Sequence, residues 1–322
     1  MDKKELNICI ASDDNYAEHM HVAIFSVIYN LNKDYFCNVH ILDWWISEPK
    51  KQKLLGIQND FWNLKINFLE IKDPKYEKFE TPLSKETFFR IDAPYIFSNL
   101  DTLIYMDCDM IANRDMSKLY DVDLWNNLIW IVKDMWAYCA FKYMFNIPSE
   151  YWYFNAWFMI INLKLMREEK IPEKVFKYLA DNQWKPLVKE QADQLALNVL
   201  CYDRKYILPL KYNATPLAFQ PINWNFPRKE YREAKHNPVV IHYACAKPRN
   251  KWCFHPKRKL YHKYRKLAWL PDVKYPKWFD FSRLRKSILE VIWNFLIAAI
   301  PCEVYYNLIR RPKIFLSKFI KF

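Results

Sequence analysis

The strongest constraint in this chain is an alternation of short apolar runs that stop in polar side chains with stretches of helical spacing. Residues 6–12 (LNICIAS) form the first run and stop at Asp13, Asp14 and Asn15, which reads as a strand entering a turn. Over 17–31 apolar residues recur at Val22, Phe25, Ile28 and Tyr29 with helical spacing, and 39–42 is a second strand. Ser47 opens SEPKKQKLL, with a proline and Glu48 at a helix start, and 64–71 alternates like a further strand. Residues 102–106 (TLIYM) read as a buried strand running into Asp107, Cys108 and Asp109. Strands are also expected at 128–132 and 153–163. Helices are expected at 87–97 around Pro94, at 164–182 with a break at Pro172, and at 191–200. Such alternation belongs to an α/β fold, a parallel sheet with helices on both faces.

Size and composition fit that class. The 322 residues are 52% hydrophobic, enough for one large domain with or without an extension, and this excludes a disordered chain. Eighteen prolines exclude a long helical bundle or coiled coil. The N-terminus, MDKKELNICIASDD, has the wrong order and length for a signal peptide, so the expected compartment is the cytoplasm. The eight cysteines have no CxxC pair or regular spacing, which argues against a zinc ribbon or disulfide framework and for reduced, structural thiols. The net charge of +13 is uneven: residues 247–322 hold nineteen Lys/Arg against four Asp/Glu, leaving thirty against thirty-two in the rest.

Three strand ends carry residues that can do chemistry. LIYMDCDMI (103–111) delivers two carboxylates at i and i+2, which face one side of an extended backbone and suit a divalent cation such as Mg2+ or Mn2+. The plainer reading is a solvated strand end. In IASDDNYAEH (10–19) an acidic or amide side chain can hydrogen-bond a base or ribose and Tyr16 can stack; an Asx turn capping the next helix is the alternative. VVIHYACAKP (239–248) ends in His242 and Lys247, a possible metal ligand and a phosphate-binding charge; a structural histidine is the alternative.

Together with YFNAWFMIINL (153–163) and QADQLALN (191–198), these segments resemble glycosyltransferase family 8, the retaining nucleotide-sugar enzymes, over about residues 6–255. The resemblance implies a GT-A fold, a Rossmann-like mixed sheet flanked by helices, over 1–250. It also implies a basic, aromatic helical extension over 251–322. By the same resemblance Asp13, Asn15 and Tyr16 hold the nucleotide of a UDP-sugar, and Arg90 helps hold the donor. Asp107, Asp109 and His242 bind Mn2+ (or Mg2+), and Lys247 contacts the diphosphate. Asn155, Asp193 and Gln194 surround the transferred sugar and its reacting carbon. The implied activity is transfer of a hexose, glucose or galactose, to a saccharide or lipid-linked saccharide acceptor such as lipopolysaccharide core. Gln194 is a poor nucleophile, which favours attack on the face from which the diphosphate departs.

The chain departs from the family where glycine is usual. It has a single glycine, Gly56, where about twenty are expected. Trp45, Trp125, Trp130 and Trp157 occupy family glycine positions, as does Cys245; Arg249 stands at a tryptophan and Leu195 at a frequent acidic residue. Two explanations compete. One is a catalytically inactive relative acting as a nucleotide- or glycan-binding module. The other, favoured by fourteen tryptophans against one glycine, is a gene whose UGA codons mean glycine but are read as tryptophan.

Beyond about residue 250 cations alternate with aromatic and apolar side chains, as in LRKSILEVIWNFLIAAIP (284–301) and RRPKIFLSKFIKF (310–322). The uncharged run 291–302 is twelve residues long, short of the roughly twenty a membrane span needs. An interfacial element on the inner face of the cytoplasmic membrane, held by anionic lipid, is therefore expected. A basic helix packed on the catalytic domain is the alternative. Nucleic-acid binding is a lesser one, since no recognised motif accompanies the charge.

Overall fold

The computed structural model describes residues 3–136, 151–245, 247–275, 279–301 and 304. Cys139, Cys302 and the basic run 310–322 lie outside the described residues. The chain divides into two compact units, Met1–Val132 with Phe154–Leu208, and Lys133–Tyr153 with Pro209–Phe322.

The first unit carries a seven-stranded sheet. Its strands are β1 (Lys4–Asp13), β2 (Tyr35–Trp44), β3 (Leu64–Glu70), β4 (Thr102–Met106), β6 (Ile129–Lys133), β7 (Phe154–Asn162) and β8 (Lys205–Leu208). A short strand β5 (Met110–Ala112) follows β4. The sheet order is β3-β2-β1-β4-β7-β6-β8. β1 pairs in parallel with β2 and β4, and β2 with β3, whereas β7 runs antiparallel to β4 with Phe158 opposite Met106. The sheet is thus mixed, as the resemblance implies, rather than wholly parallel as the alternation alone suggests.

The parallel half follows from the apolar runs. Leu6, Ile8, Cys9 and Ile10 are completely buried, as are Leu103, Ile104 and Met106. A strand buried on both faces reads as a continuous apolar run rather than an alternation. Helix α1 (Ala17–Asn30) is buried at eleven positions, so it is covered on nearly every side. Tyr29, expected on its apolar face, is instead half exposed. Pro49 stands in the first turn of α2 (Glu48–Gly56) and Pro94 lies inside α3 (Phe89–Ile96). The expected break at Pro172 falls earlier: α4 (Leu163–Glu168) ends, Lys170 turns left-handed at φ 54°, and Pro172 sits in the first turn of α5 (Ile171–Asn182). A proline is tolerated there because that N–H lacks an intrahelical partner anyway. Helix α6 (Pro186–Leu200) starts before the expected position and is kinked at Ala192.

The second unit contains α7 (Arg228–His236), β9 (Val240–His242), α8 (Arg258–Leu267) and α9 (Phe281–Ala299). β9 is bonded along residues 211–214: the amides of Val239, Ala214 and His242 donate to the carbonyls of Lys211, Val240 and Ala214 at 2.8, 2.9 and 3.0 Å. Among the described residues no helix is long and apolar enough to cross a membrane.

Among the described residues six have a left-handed backbone and none of these is glycine: Trp45 (φ 63°), Trp125 (44°), Lys170 (54°), Ala192 (42°), Cys245 (64°) and Trp269 (55°). Three are tryptophans, and all three are largely exposed. A Cβ in this region meets the following carbonyl, so these are positions where glycine is the unstrained residue. The expectation drawn at Trp45, Trp125 and Cys245 therefore has a backbone basis, and Trp269 joins them. Trp130 and Trp157 differ. They lie within β6 and β7 without a left-handed backbone, and Trp130 is 4% exposed with its ring stacked on Tyr206 at 4.2 Å. Position 130 thus holds a buried indole on a strand backbone that does not call for glycine.

Candidate active site

The parallel pairing of β1, β2 and β4 brings their carboxyl ends to one edge of the first unit. In open α/β sheets this edge binds ligands. At the end of β1 the Asp13 carboxylate accepts the Tyr16 amide N–H and an Asn15 Nδ2–H, each at 2.9 Å. Asp13 therefore forms the Asx turn weighed above and starts α1, while Asn15 is exposed and Tyr16 half-buried. Its neighbour Asp14 accepts from Ser47 Oγ at 2.7 Å and Lys50 Nζ at 2.5 Å, which hold its pKa down to about 2.

β4 delivers Asp107 and Asp109. They flank the turn between β4 and β5 rather than sitting on one extended strand, so the turn and not the two-residue pleat sets their relation. Asp107 is half-buried and donates its amide N–H to the Trp157 carbonyl at 2.9 Å; Asp109 is buried. Glu86, 5% exposed, belongs to the same electrostatic neighbourhood. Burial raises its pKa first, and the charges of Asp13 and Asp107 push it further in the same direction. An edge lined with this much negative charge favours a cation.

Antiparallel pairing carries the start of β7 to the same edge. Asn155 is 1% exposed, and its Oδ1 accepts the Trp157 amide at 3.2 Å. Behind it α6 kinks at Ala192 (φ 42°, ψ −123°) and turns Asp193 and Gln194 inward. Gln194 Oε1 accepts the Ala156 amide at 2.9 Å. Asn198 clasps β7 by accepting from the Phe154 amide at 2.7 Å and donating to its carbonyl at 2.9 Å. Asp193 is fully buried: Thr87 Oγ1 donates to it at 2.5 Å and Arg90 Nε lies 3.1 Å from it. Burial pushes the Asp193 carboxyl up while Arg90 pulls it down. Arg90 also donates to the carbonyls of Thr87 (3.0 Å) and Ala156 (2.5 Å), and its guanidinium lies 4.5 Å from the Tyr105 ring centre. It is thus committed to buried partners and acts on the site through Asp193 and β7.

In the second unit His242 ends β9, 1% exposed, with Nδ1 3.0 Å from Asn213 Oδ1. An amide oxygen only accepts, so Nδ1 carries the proton and Nε2 presents the lone pair, the tautomer that a metal-binding histidine requires. Lys247 is half-buried in a turn in which its amide donates to the Cys245 carbonyl at 3.1 Å. The first unit thus gathers Asp13, Asn15, Tyr16, Asp107 and Asp109 at its strand ends, and Arg90, Asn155, Asp193 and Gln194 behind them. His242 and Lys247 belong to the second unit. Sequence reasoning did not find Glu86, Thr87, Asn198 or Asn213. Only Thr87, three residues before Arg90, carried a spacing signal, that of one helical turn.

The model of glycosyl transferase family 8 matches residues 7–253. The chain belongs to this family. General stress protein A of Bacillus subtilis is 29% identical over 281 residues, 85% of this chain and 94% of that protein. Lipopolysaccharide 1,2-glucosyltransferase of Escherichia coli is 27% identical over 296 residues, 88% of this chain and 82% of that protein. Among solved structures, galactosyltransferase LgtC in complex with donor and acceptor sugar analogs superposes with a TM-score of 0.72 at 23% identity, over 84% of this chain and 98% of that one. The fold is therefore GT-A, and the family makes the chain a glycosyltransferase.

Proposed function

We propose that this glycosyltransferase moves glucose or galactose from a UDP-sugar, with retention, to a saccharide acceptor of the cell surface such as lipopolysaccharide core, and requires a divalent cation. The observation that carries the reading is the acidic edge of the first unit, where Asp13, Asp107, Asp109 and Glu86 meet at the carboxyl ends of parallel strands. By the family resemblance Asp107 and Asp109 of the first unit and His242 of the second are the proposed ligands. Two carboxylates and an imidazole held in its Nε2-presenting tautomer fit Mn2+ or Mg2+. A bound cation would neutralise charge on the departing diphosphate.

The chain's own residues supply the rest. Asn15 and Tyr16 meet the nucleoside and Lys247 the diphosphate, while Asn155 and Gln194 border the transferred sugar. Arg90 and Thr87 are positioning residues that hold Asp193. The acceptor class is suggested by the E. coli relative, named for lipopolysaccharide glucosylation. Residues 251–322 are proposed to rest on an anionic membrane surface. Ile288, Leu289, Ile292, Trp293 and Leu296 of α9 are 40–53% exposed, beside the exposed cations Arg285 and Lys286.

The test is calorimetric titration of UDP with Mn2+ present and again with EDTA, followed by UDP-glucose and UDP-galactose hydrolysis. Metal-dependent binding is expected, with hydrolysis lost in Asp109→Asn. Tight binding without hydrolysis of either donor would point to the inactive, nucleotide-binding relative, and metal-independent binding would overturn the cation's role.

A further inference from the structure

Helix α9 brings Glu290 to the wall of a cavity that Lys247 also lines. The cavity, of about 460 Å³, lies within the second unit between the 216–221 segment, the 245–256 loop and α9. Ser287, Glu290, Val291 and Asn294 line it at helical spacing. Hydrogen bonds fix the helix within that unit. Asn294 Oδ1 accepts the Trp136 Nε1–H at 2.9 Å, the Ala298 carbonyl accepts the Trp224 amide at 3.0 Å, and the Ile297 carbonyl accepts an Asn225 Nδ2–H at 3.0 Å. Asn294 and Ala298 are buried accordingly. The family match ends at residue 253, so Glu290 lies outside the matched segment.

Among the described residues that line the cavity, Lys247 and Glu290 are the only lysine, arginine, aspartate or glutamate. His255, on the same lining, is neutral. Its Nδ1 accepts the Lys257 amide at 3.1 Å and burial lowers its pKa to about 3, so its proton is on Nε2. Lys247 and Glu290 are both half-buried. Burial raises the pKa of Glu290, and the ammonium groups of Lys247 and of Lys286, one turn earlier on α9, act against that rise. The Glu290 carboxylate and the Lys247 ammonium therefore share one cavity within electrostatic reach, where solvent and salt screen them less than on an open surface.

Lys247 is the residue proposed above to meet the diphosphate. A diphosphate drawn to its ammonium also enters the field of the Glu290 carboxylate, and like charges brought together lower affinity.

We infer that Glu290 is a counter-charge to Lys247 that weakens the hold of this site on a nucleoside diphosphate and so favours release of that product after sugar transfer. The inference rests on the proposed function for the role of Lys247. The place of Glu290 on the cavity wall does not depend on it.

The test is calorimetric titration of UDP, with uridine as the uncharged control, into the full chain with Mn2+ at low ionic strength. The parent, Glu290→Gln and Lys247→Gln are compared. Glu290→Gln keeps the shape of the side chain and removes only its charge. It should bind UDP about two- to fivefold more tightly, with uridine affinity unchanged, and the gain should fade in concentrated salt. Lys247→Gln should weaken UDP at least about tenfold. If Lys247→Gln weakens UDP while Glu290→Gln leaves it unchanged or weakens it too, the inference alone is overturned and Glu290 is a support for Lys247. An equal gain for uridine would also overturn it, since uridine has no charge to repel. UDP affinity untouched by Lys247→Gln would sink the diphosphate role of Lys247 and the inference with it, and UDP binding by none of the three would sink the donor site and the inference together.

Discussion

Replacing Trp45, Trp125 and Trp269 together by glycine should make the protein more stable, which is unusual for three large-to-small substitutions. All three have left-handed backbones, at φ 63°, 44° and 55°, and are 64%, 65% and 85% exposed. An L-residue with a Cβ costs about 1–2 kcal/mol in this region. Glycine removes that strain but costs about 0.5–1 kcal/mol in unfolded-chain entropy. Little packing is lost. Trp45 touches Trp44 at 6.0 Å and Lys72 at 5.9 Å between centres, contacts worth about 0.5 kcal/mol at an exposed site. The net gain is about 0.5–1 kcal/mol at each of Trp125 and Trp269 and near zero at Trp45, so roughly 1–2 kcal/mol in all. Urea unfolding followed by far-UV dichroism measures it as a higher midpoint at unchanged slope. The control is Trp184→Gly. Trp184 is 72% exposed and is not among the left-handed residues, so this change should be neutral or slightly destabilising. A triple variant less stable than its parent, or a Trp184→Gly variant that gains as much, would refute the reasoning.

Three further outcomes are expected. Codon sequencing should find UGA rather than UGG at Trp45, Trp125 and Trp269, and mass spectrometry of the natural protein should find glycine there; UGG codons would dismiss the reassignment. Arg90→Met should destabilise by about 3–5 kcal/mol in chemical unfolding because it strands the buried Asp193 carboxylate, whereas the double change with Asp193→Leu should recover part of that loss. Stability should fall as pH drops from 6.5 towards 4. Burial lowers the pKa of His40 to about 4 and of His255 to about 3, so over that window the unfolded chain takes up protons that the folded one refuses. At pH 5 each contributes a loss of roughly 2 kcal/mol, and His255→Phe should flatten the thermal-melting profile between pH 7 and 5.

Much of the first unit was legible because its information is local. β4 is found at residues 102–106 as read, and α1 starts at Ala17 as read, since a strand buried on both faces must be a continuous apolar run. Asp13, Asp107 and Asp109 were legible for the same reason, as polar residues at the ends of such runs. The glycine positions at Trp45, Trp125 and Cys245 were visible through family resemblance, whereas Trp269, which lies beyond the matched residues, became visible only through its backbone.

The sequence alone determined the α/β class, the parallel strands and which side chains stand at their carboxyl ends, because periodicity and turn residues act over a few neighbours. Tertiary structure alone decided what those side chains touch. It identified β7 as the strand that runs against β4, and it turned Arg90 inward onto Asp193 across 103 residues of chain. It buried the Nε2–H of His255 and brought Phe254 and Phe295 to the lining of one cavity. Burial and long-range hydrogen bonding depend on which segments meet, and no short window of sequence carries that information.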